Sequence, residues 1–299
     1  MASVAETTAV VPPRRKRGPV LHFLGRLFRE KPLGAAGAVV FVLFLFCGIF
    51  ADVLAPYGMN QISPLNRLKP PSWAFPFGTD NLGRDMLSRC LYGAQLSVII
   101  GFCAAGIATI ISVFLGIISG YLGGKFDLVL QRFVDAWMSF PDLIILIVVV
   151  SVVGPGMPQI IVTLGLLLGI AGSRIIRGAV VSVRENMYVH AAQSTGASTF
   201  RILWRHILPN VMAPVIVLFT TRVGTVILAE SGLSFLGLGV PPPAPTWGGL
   251  LSGSGRTFML QGPWLALAPG LCLTIVVYAT NMFGDALRDL LDPRMRGSH

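Results

Sequence analysis

Long apolar runs without any charge constrain this chain more than any other feature of its sequence. Residues 33–51 contain no charged side chain, and the uncharged stretch 90–124 is longer still. The hydrocarbon core of a bilayer, about 30 Å thick, needs roughly 20 apolar residues per helix. Charged residues make up only 12% of the chain, about half the share found in soluble domains. These observations argue against a soluble or disordered protein and predict an all-α membrane protein.

The apolar runs and the residues that interrupt them predict six transmembrane helices. The apolar region 128–180 is too long for one span, and Gly154, Pro155 and Gly156 divide it because Pro and Gly interrupt helices. The first span is longer than the apolar region of a signal peptide, so we expect it to be retained. The predicted spans are 33–51, 95–120, 130–153, 159–179, 213–236 and 264–287.

Basic residues indicate the orientation, since cytoplasmic loops carry an excess of Lys and Arg. Of the 23 Lys and Arg residues, seventeen fall in the tails and loops of one side, five fall on the other side, and Arg222 falls within the fifth span. Both termini are therefore predicted to be cytoplasmic. The net charge of +10 records this topology and contact with anionic membrane lipid, so nucleic acid is not an expected partner.

The chain divides into segments of different composition. Before the first span, Leu21, Leu24, Leu27 and Phe28 share one face of a predicted helix, a pattern typical of helices that lie at a membrane surface. A frayed basic tail is the alternative. The predicted segments are a basic tail with an interfacial helix at 1–31, a first transmembrane helix at 32–55, an external loop at 56–94, a core of five transmembrane helices at 95–292 with a cytoplasmic loop at 182–212, and a tail at 293–299.

Sequence motifs that carry catalysis do not occur in the chain. It contains no H-E-x-x-H, no G-x-S-x-G and no phosphate-binding G-x-x-x-x-G-K-[ST] pattern. The four Cys and four His residues are scattered, so neither a disulfide framework nor a metal site is expected. We predict no catalytic, cofactor-binding or metal-binding residues, and we expect no ATP hydrolysis by the chain itself.

The predicted external loop contains a compact polar motif at 78–85. Gly78 and Gly83 frame a predicted turn that Thr79 and Asp80 stabilise through side-chain hydrogen bonds. Asp85 is predicted to cap or begin the helix that leads into the second span. A calcium-binding loop is the alternative, although the ligand spacing does not fit.

The predicted cytoplasmic loop 182–212 carries more pattern than a simple linker requires. Ala191 and Ala192 are small enough for close helix approach, and Gly196 is predicted to end one short helix. Pro209 is expected to end a second helix or to bend the chain toward the fifth span. The second helix has an apolar stripe at helical spacing, formed by Phe200, Leu203, Trp204 and Ile207. A helix–turn–helix at this position predicts a docking surface for a soluble partner.

The same loop resembles the coupling motif of ATP-binding-cassette (ABC) importer permeases. In that motif Glu-Ala-Ala is followed after three residues by Gly, and after nine more by Ile, any residue, Leu and Pro. His190 stands at the glutamate position and His206 at the isoleucine position. The positions in register are Ala191, Ala192, Gly196, Leu208 and Pro209. The segments similar to the dipeptide and oligopeptide branch of that family are 206–210, 78–85, 230–239, 245–248 and 284–293.

The resemblance implies a type I ABC importer permease fold in a multi-pass protein of the bacterial cytoplasmic membrane. The implied partners are a second homologous permease subunit, two ATPase subunits that bind the ATP and Mg²⁺, and an extracytoplasmic substrate-binding protein. The loop would dock on an ATPase through His190, Ala191, Ala192, Gly196, Phe200, Leu203, Trp204, Leu208 and Pro209.

The implied function is import of dipeptides or oligopeptides, with nickel, glutathione or an opine as alternative cargo. A standalone channel or secondary transporter would explain the spans but not the patterned loop. A membrane-embedded enzyme would need convergent His, Asp and Glu residues, and the spans contain too few of them.

Ionisable residues inside the predicted spans are candidates for the translocation pathway. Such residues mark functional positions in membrane proteins by default. The candidates are Asp142, Arg222 and Glu230. Arg222 and Glu230 lie two turns apart on the fifth span and could contact peptide termini or pair within the bundle. Asp135 is expected to pair with Arg132.

Overall fold

Twelve α-helices account for most of the chain that the structure describes. The structure is a computed structural model, and it describes residues 19–291. The residues 1–18 of the predicted basic tail and the predicted tail at 293–299 lie outside the described residues. The helices are α1 (Pro19–Glu30), α2 (Pro32–Ile49), α3 (Ala51–Leu54), α4 (Met86–Leu122), α5 (Gly124–Met138), α6 (Asp142–Val153), α7 (Met157–Arg184), α8 (Met187–Ser194), α9 (Thr199–Ile202), α10 (Met212–Phe235), α11 (Trp247–Leu250) and α12 (Trp264–Leu291).

Within residues 19–291, five helical segments are long and apolar enough to cross a membrane. They are α2, α4, α7, the segment Thr199–Phe235 that contains α10, and α12. A sixth crossing exists only if α5 and α6 are counted together, and these two helices are bent by 81° at the break between them. The all-helical, multi-span prediction is confirmed, with five spans or six according to how this pair is counted.

The predicted third span near 130–153 is divided between two helices, α5 and α6. Pro141 precedes α6 and has no N–H to continue the helix. The Ser139 hydroxyl donates to the carbonyl of Ala136 at 2.7 Å and so closes the last turn of α5. Asp142 therefore begins α6 beside a helix break, and its side chain is exposed in the isolated chain.

Small residues bring α4 and α7 together at the centre of the bundle. A Cβ at Gly116 of α4 would lie 2.7 Å from the Cβ of Ile176, and a Cβ at Gly169 of α7 would lie 2.8 Å from that of Ile111. Such close backbone approach at small residues is the usual means of helix association in membranes. α10 packs on α4 and α12, and α12 also packs on α2.

The polar motif of the loop after α3 folds as predicted. Gly78 and Gly83 have φ values of +71° and +74°. The Asp80 carboxylate accepts the backbone N–H groups of Leu82 and Arg84 at 2.8 and 2.9 Å. Asp85 caps α4, since its carboxylate accepts the N–H of Ser88 at 2.8 Å. Both oxygens of Asp80 and Oδ2 of Asp85 accept hydrogen bonds from protein donors, which favours the architectural turn over the calcium-binding alternative.

The amphipathic α1 packs on the bundle through one of its predicted apolar residues. Leu27 is buried against α2 and α12, whereas Leu24 and Phe28 are exposed. The side chain of Leu21 lies outside the described part of the chain. Lys31, at the start of α2, pairs with Asp289 of α12 at 2.6 Å. α1 is thus tied to the same end of the bundle as the C-terminal end of α12.

Candidate coupling surface and pathway residues

The first element of the predicted coupling loop is the short helix α8, which follows α7 directly. Gly196 ends its C-terminal turn with φ +77°, the left-handed region that favours glycine. The N–H of Gly196 donates to the Gln193 carbonyl at 2.9 Å, and the N–H of Ala197 donates to the Ala192 carbonyl at 3.0 Å. A Cβ on Gly196 would meet no atom within 4 Å. Backbone conformation rather than crowding therefore explains the glycine.

One buried side chain anchors α8, and the rest of the helix faces outward. Val189 is completely buried in a cluster with Ile202, Ile207 and Val211. We define the coupling face as the exposed residues of α8 on the other side: Met187, Tyr188, His190 and Ala191. Met187 is 84% exposed. An apolar side chain this exposed at the end of a helix bundle is available for contact with a partner protein.

The segment after Gly196 is helical, but its apolar residues point two ways. Ile202 and Ile207 are buried, whereas Phe200 and Trp204 are 75% and 66% exposed. The predicted single stripe is therefore split. The physical reason is a π-helical turn at Leu203–Ile207, whose wider winding changes which side chains share a face.

Pro209 does not end this segment, and the chain continues through it into the fifth span. It lies in a 3-10 turn, Leu208–Val211, that leads straight into α10. The preceding π turn places the N–H of Leu208 on the carbonyl of Leu203, and Asn210 Nδ2 donates to the His206 carbonyl at 2.7 Å. These bonds satisfy backbone groups next to the proline, so the chain remains helical through it.

Four of the predicted coupling residues line an apolar groove of about 630 Å³ beside α4. Phe200 and Trp204 stack with their rings 6.4 Å apart and 5° from parallel. The groove is lined by Phe200, Leu203, Trp204 and Leu208 from this segment, Val215 from α10, and Thr109, Ile110, Val113, Phe114, Ile117 and Ile118 from α4. The coupling loop is thereby in direct contact with two of the long helices.

One ion pair and two hydrogen bonds hold the end of α7, which α8 follows directly, against α5 and α4. Sequence reasoning did not single them out. Arg177 of α7 donates to both carboxylate oxygens of Asp127 on α5, at 2.6 and 2.5 Å. Arg184, the last residue of α7, donates to the carbonyls of Gly120 and Tyr121 at 3.2 and 3.1 Å. The signal in the sequence is a run of arginines at the end of an apolar helix. α8 therefore follows a helix end that is fixed to its neighbours.

Asp135 pairs with Arg132 at 3.6 Å, as predicted, and also with Arg174 of α7. The second partner lies 39 positions further along the chain. Only the packing of α5 against α7 brings it close. Asp135 is thus a structural link between these two helices.

The three candidate pathway residues do not converge. Glu230 is 1% exposed, and its carboxylate accepts the hydroxyl of Ser234 at 2.6 Å. Arg222 is half-buried on the same helix, and within residues 19–291 no ion pair joins it to Glu230. The charge that acts most directly on Arg222 is Asp142 at the start of α6. Glu230 therefore belongs to an internal hydrogen-bond network, while Arg222 and Asp142 lie on two helices, α10 and α6, that contact each other.

Comparison with known families identifies the kind of protein that has this arrangement of helices. Residues 112–297 match the family described as "Binding-protein-dependent transport system inner membrane component". Residues 25–71 match the "N-terminal TM domain of oligopeptide transport permease C". The chain is a permease subunit that crosses the inner membrane several times. It belongs to the family of binding-protein-dependent transport system inner membrane components, and within that family to the group of ABC importer permeases with this N-terminal domain.

Individual relatives agree with this assignment. The dipeptide transport system permease protein DppC of Alkalihalophilus pseudofirmus is 39% identical over 90% of this chain and 88% of its own length. The oligopeptide transport system permease protein OppC of Bacillus subtilis is 38% identical with the same coverage. The glutathione transport system permease protein GsiD of Escherichia coli O157:H7 is 37% identical over 99% of this chain and 97% of its own length.

The fold also matches a solved transporter. A chain of the inward-facing MetNI methionine ABC transporter aligns with a TM-score of 0.58, covering 69% of this chain and 98% of that one at 17% identity. At this identity the likeness concerns the fold. It supports a type I ABC importer permease architecture for the helical core.

Proposed function

We propose that this chain is the C-type permease subunit of an ATP-driven importer that moves dipeptides or oligopeptides into the cytoplasm. The single observation that carries the proposal is similarity over 90% of the chain to relatives named as dipeptide and oligopeptide permeases. The match of residues 25–71 to the oligopeptide permease C domain supports it further. In this proposal the partners are a second homologous permease, two ATPase subunits and an extracytoplasmic binding protein.

The coupling face is proposed to dock in a groove of one ATPase subunit. Its residues, Met187, Tyr188, His190 and Ala191, are exposed on α8, directly after α7. The ion pair of Arg177 and the hydrogen bonds of Arg184 connect the end of α7 to α5 and α4. A movement of the ATPase would therefore be passed to the long helices as a rigid displacement. ATP and Mg²⁺ would be bound by the ATPase subunits, and both termini of this chain would lie on their side of the membrane.

The proposal is tested by reconstituting the chain with its partner permease, the ATPases and the binding protein in proteoliposomes. We expect uptake of labelled tri-alanine that requires ATP and disappears when the ATPases carry a substitution that prevents hydrolysis. The same liposomes with the chain alone serve as the control. Uptake by the chain alone would instead establish a channel or secondary transporter, and preferential uptake of glutathione would assign the alternative cargo suggested by the GsiD relative.

Arg222 is proposed to contact the translocated solute or to control its passage. A cationic side chain within a span is retained at a cost, and Arg222 has only Asp142 as a nearby counter-charge among the described residues. We predict that Arg222→Gln lowers ATP-dependent uptake at least about tenfold, corresponding to a lost charged interaction. Arg256→Gln, at an exposed arginine outside the spans, is the matched control. Uptake within the range of the control would reduce Arg222 to a packing residue.

A further inference from the structure

A second cavity lies at the opposite end of the bundle from α8, among the loops predicted to be external. Its volume is about 490 Å³, within the range of sites that hold small ligands. It is bounded by the end of the loop before α4, the α6–α7 connection, the proline-rich segment after α10, and the π turn Leu251–Gly255 that follows α11. The candidate pathway residues Asp142, Arg222 and Glu230 do not line it.

The ionisable residues in the described lining of this cavity are all basic. Its ionisable lining residues are Arg84 and Arg89, and no carboxylate is part of the described lining. Polar groups of the wall include the side chains of Asn81, Ser252, Ser254 and Thr257. The wall thus offers cationic and hydroxyl donors but no negative group, which is the composition that suits an anion.

Arg89 lines this cavity, and its guanidinium contains an unused hydrogen-bond donor. The residue is 6% exposed, and its Nε–H has no hydrogen-bond partner. The carboxylate of Asp80 lies 3.9 Å away from that nitrogen, which is too far for a hydrogen bond. The remaining contact is a long one, from Nη1 to the Met59 carbonyl at 3.4 Å. A buried charged donor without a partner is costly to maintain, so an acceptor is expected at this position in the working protein.

The nearby carboxylates accept hydrogen bonds from the protein, except that Oδ1 of Asp85 is buried without a hydrogen-bond partner. Asp80 accepts two backbone N–H groups and the Nε–H of Arg84, at 2.7 Å for the latter. Asp85 accepts both the N–H and the hydroxyl of Ser88, and Glu230 accepts the hydroxyl of Ser234. Arg84 is therefore hydrogen-bonded to Asp80, whereas Arg89 lies at an ion-pair distance of 3.9 Å from the same carboxylate and donates no hydrogen bond to it.

We infer that this cavity is a subsite for the C-terminal carboxylate of the transported peptide, with Arg89 as its principal ligand. The inference rests on the proposed function and deepens it. An importer that accepts peptides of different sequence can recognise only the groups that all peptides share, and these are the backbone and the charged termini. Because the described lining contains two guanidinium groups and no carboxylate, it fits the carboxylate end and not the ammonium end. Its position at the predicted external end is where the solute would arrive from the binding protein.

Two pairs of variants test this inference in the complete reconstituted complex with tri-alanine as the probe. Arg89→Gln removes the charge of the subsite, and Arg256→Gln removes a charge from an exposed arginine that does not line it. Ser254→Asp places a negative group on the wall, and Ser254→Asn adds a side chain of the same size without charge. We expect Arg89→Gln and Ser254→Asp each to lower uptake at low peptide concentration at least about tenfold, mainly through a higher KM. The two controls should stay within about twofold of the unmodified complex.

A second readout separates the peptide from the binding protein as the source of the carboxylate. The affinity of the complex for the binding protein is expected to be unchanged in Arg89→Gln and Ser254→Asp. Weakened docking, or equal uptake by Ser254→Asp and Ser254→Asn, would overturn the inference. If Arg89→Gln fails to assemble with its partners, the Ser254 pair alone decides. Failure of the proposed function is distinguishable, because the unmodified complex would then take up no tri-alanine at all.

Discussion

Replacing Gly116 with alanine is expected to force α4 and α7 apart and to prevent normal assembly of the permease. A Cβ at this position would lie 2.7 Å from the Cβ of Ile176, 2.8 Å from the Ser173 carbonyl oxygen and 2.9 Å from the backbone nitrogen of Arg177. Two of these atoms are backbone, so no rotamer change can relieve the contact. Overpacking of this kind costs about 2 kcal/mol or more.

The displaced backbone also carries Arg177, whose side chain holds Asp127 of α5. A shift of α7 would therefore disturb the ion pair that links α5 to α7. We expect thermal unfolding of the purified Gly116→Ala protein in detergent at a clearly lower temperature and a reduced yield of the complex with its partner subunits.

Gly106→Ala is the matched control for this prediction. Gly106 lies on the same helix, but a Cβ there would meet nothing within 4 Å. The added methyl group should be neutral or slightly stabilising, because alanine favours a helix by up to about 1 kcal/mol over glycine. Equal behaviour of the two variants would show that the close α4–α7 approach is not required for stability.

The helical spans were predictable because hydropathy and chain breaks act locally. The uncharged runs at 33–51 and 90–124 correspond to α2 and to most of α4, and the break at Gly154 and Pro155 separates α6 from α7. The Asp85 cap and the Gly196 turn were also predictable, since each depends on one residue and its immediate neighbours. These features need no knowledge of tertiary packing.

Features that depend on distant contacts were not predictable in the same way. The 81° bend between α5 and α6 follows from one proline, but its angle depends on what the two helices pack against. The π turn at Leu203–Ile207 separated Phe200 and Trp204 from the buried Ile207, although all three match one helical period. From the sequence, Glu230 is predicted to be a charged residue of the pathway. In the fold its carboxylate is buried and accepts a hydrogen bond from Ser234.

The candidate subsite at Arg89 shows the same limit. In the sequence Arg89 is one of several external basic residues, and it follows the capping residue Asp85 by four positions. Its cavity is completed by Ser252 and Ser254, more than 160 positions away. Only the fold shows that Arg84 donates a hydrogen bond to the carboxylate of Asp80 and that the Nε–H of Arg89 has no hydrogen-bond partner.

Gly196→Val is expected to uncouple the permease from its ATPase. Gly196 holds the left-handed conformation that ends α8, and a left-handed backbone costs a residue with a Cβ about 1–2 kcal/mol, with β-branched residues least tolerant. The N–H groups of Gly196 and Ala197 would lose their bonds to the end of α8. With Val189 as the completely buried anchor of α8, a loosened C-terminal turn would misplace Met187 and Ala191 on the coupling face.

Gly196→Asn separates this conformational effect from a steric one. Asparagine tolerates the left-handed region, and the open space around the Gly196 Cα position leaves room for its side chain in the isolated chain. We expect co-purification of the ATPase and ATP-dependent uptake to fall at least about tenfold in Gly196→Val and to stay within about twofold in Gly196→Asn. Equal loss in both variants would mean that the partner itself contacts this position. Full activity of Gly196→Val would show that the turn does not position the coupling face. Because the end of α7, which leads directly into α8, is joined to α4 and α5 through Arg184 and Arg177, a selective loss in the valine variant would mean that transmission requires the backbone turn at Gly196.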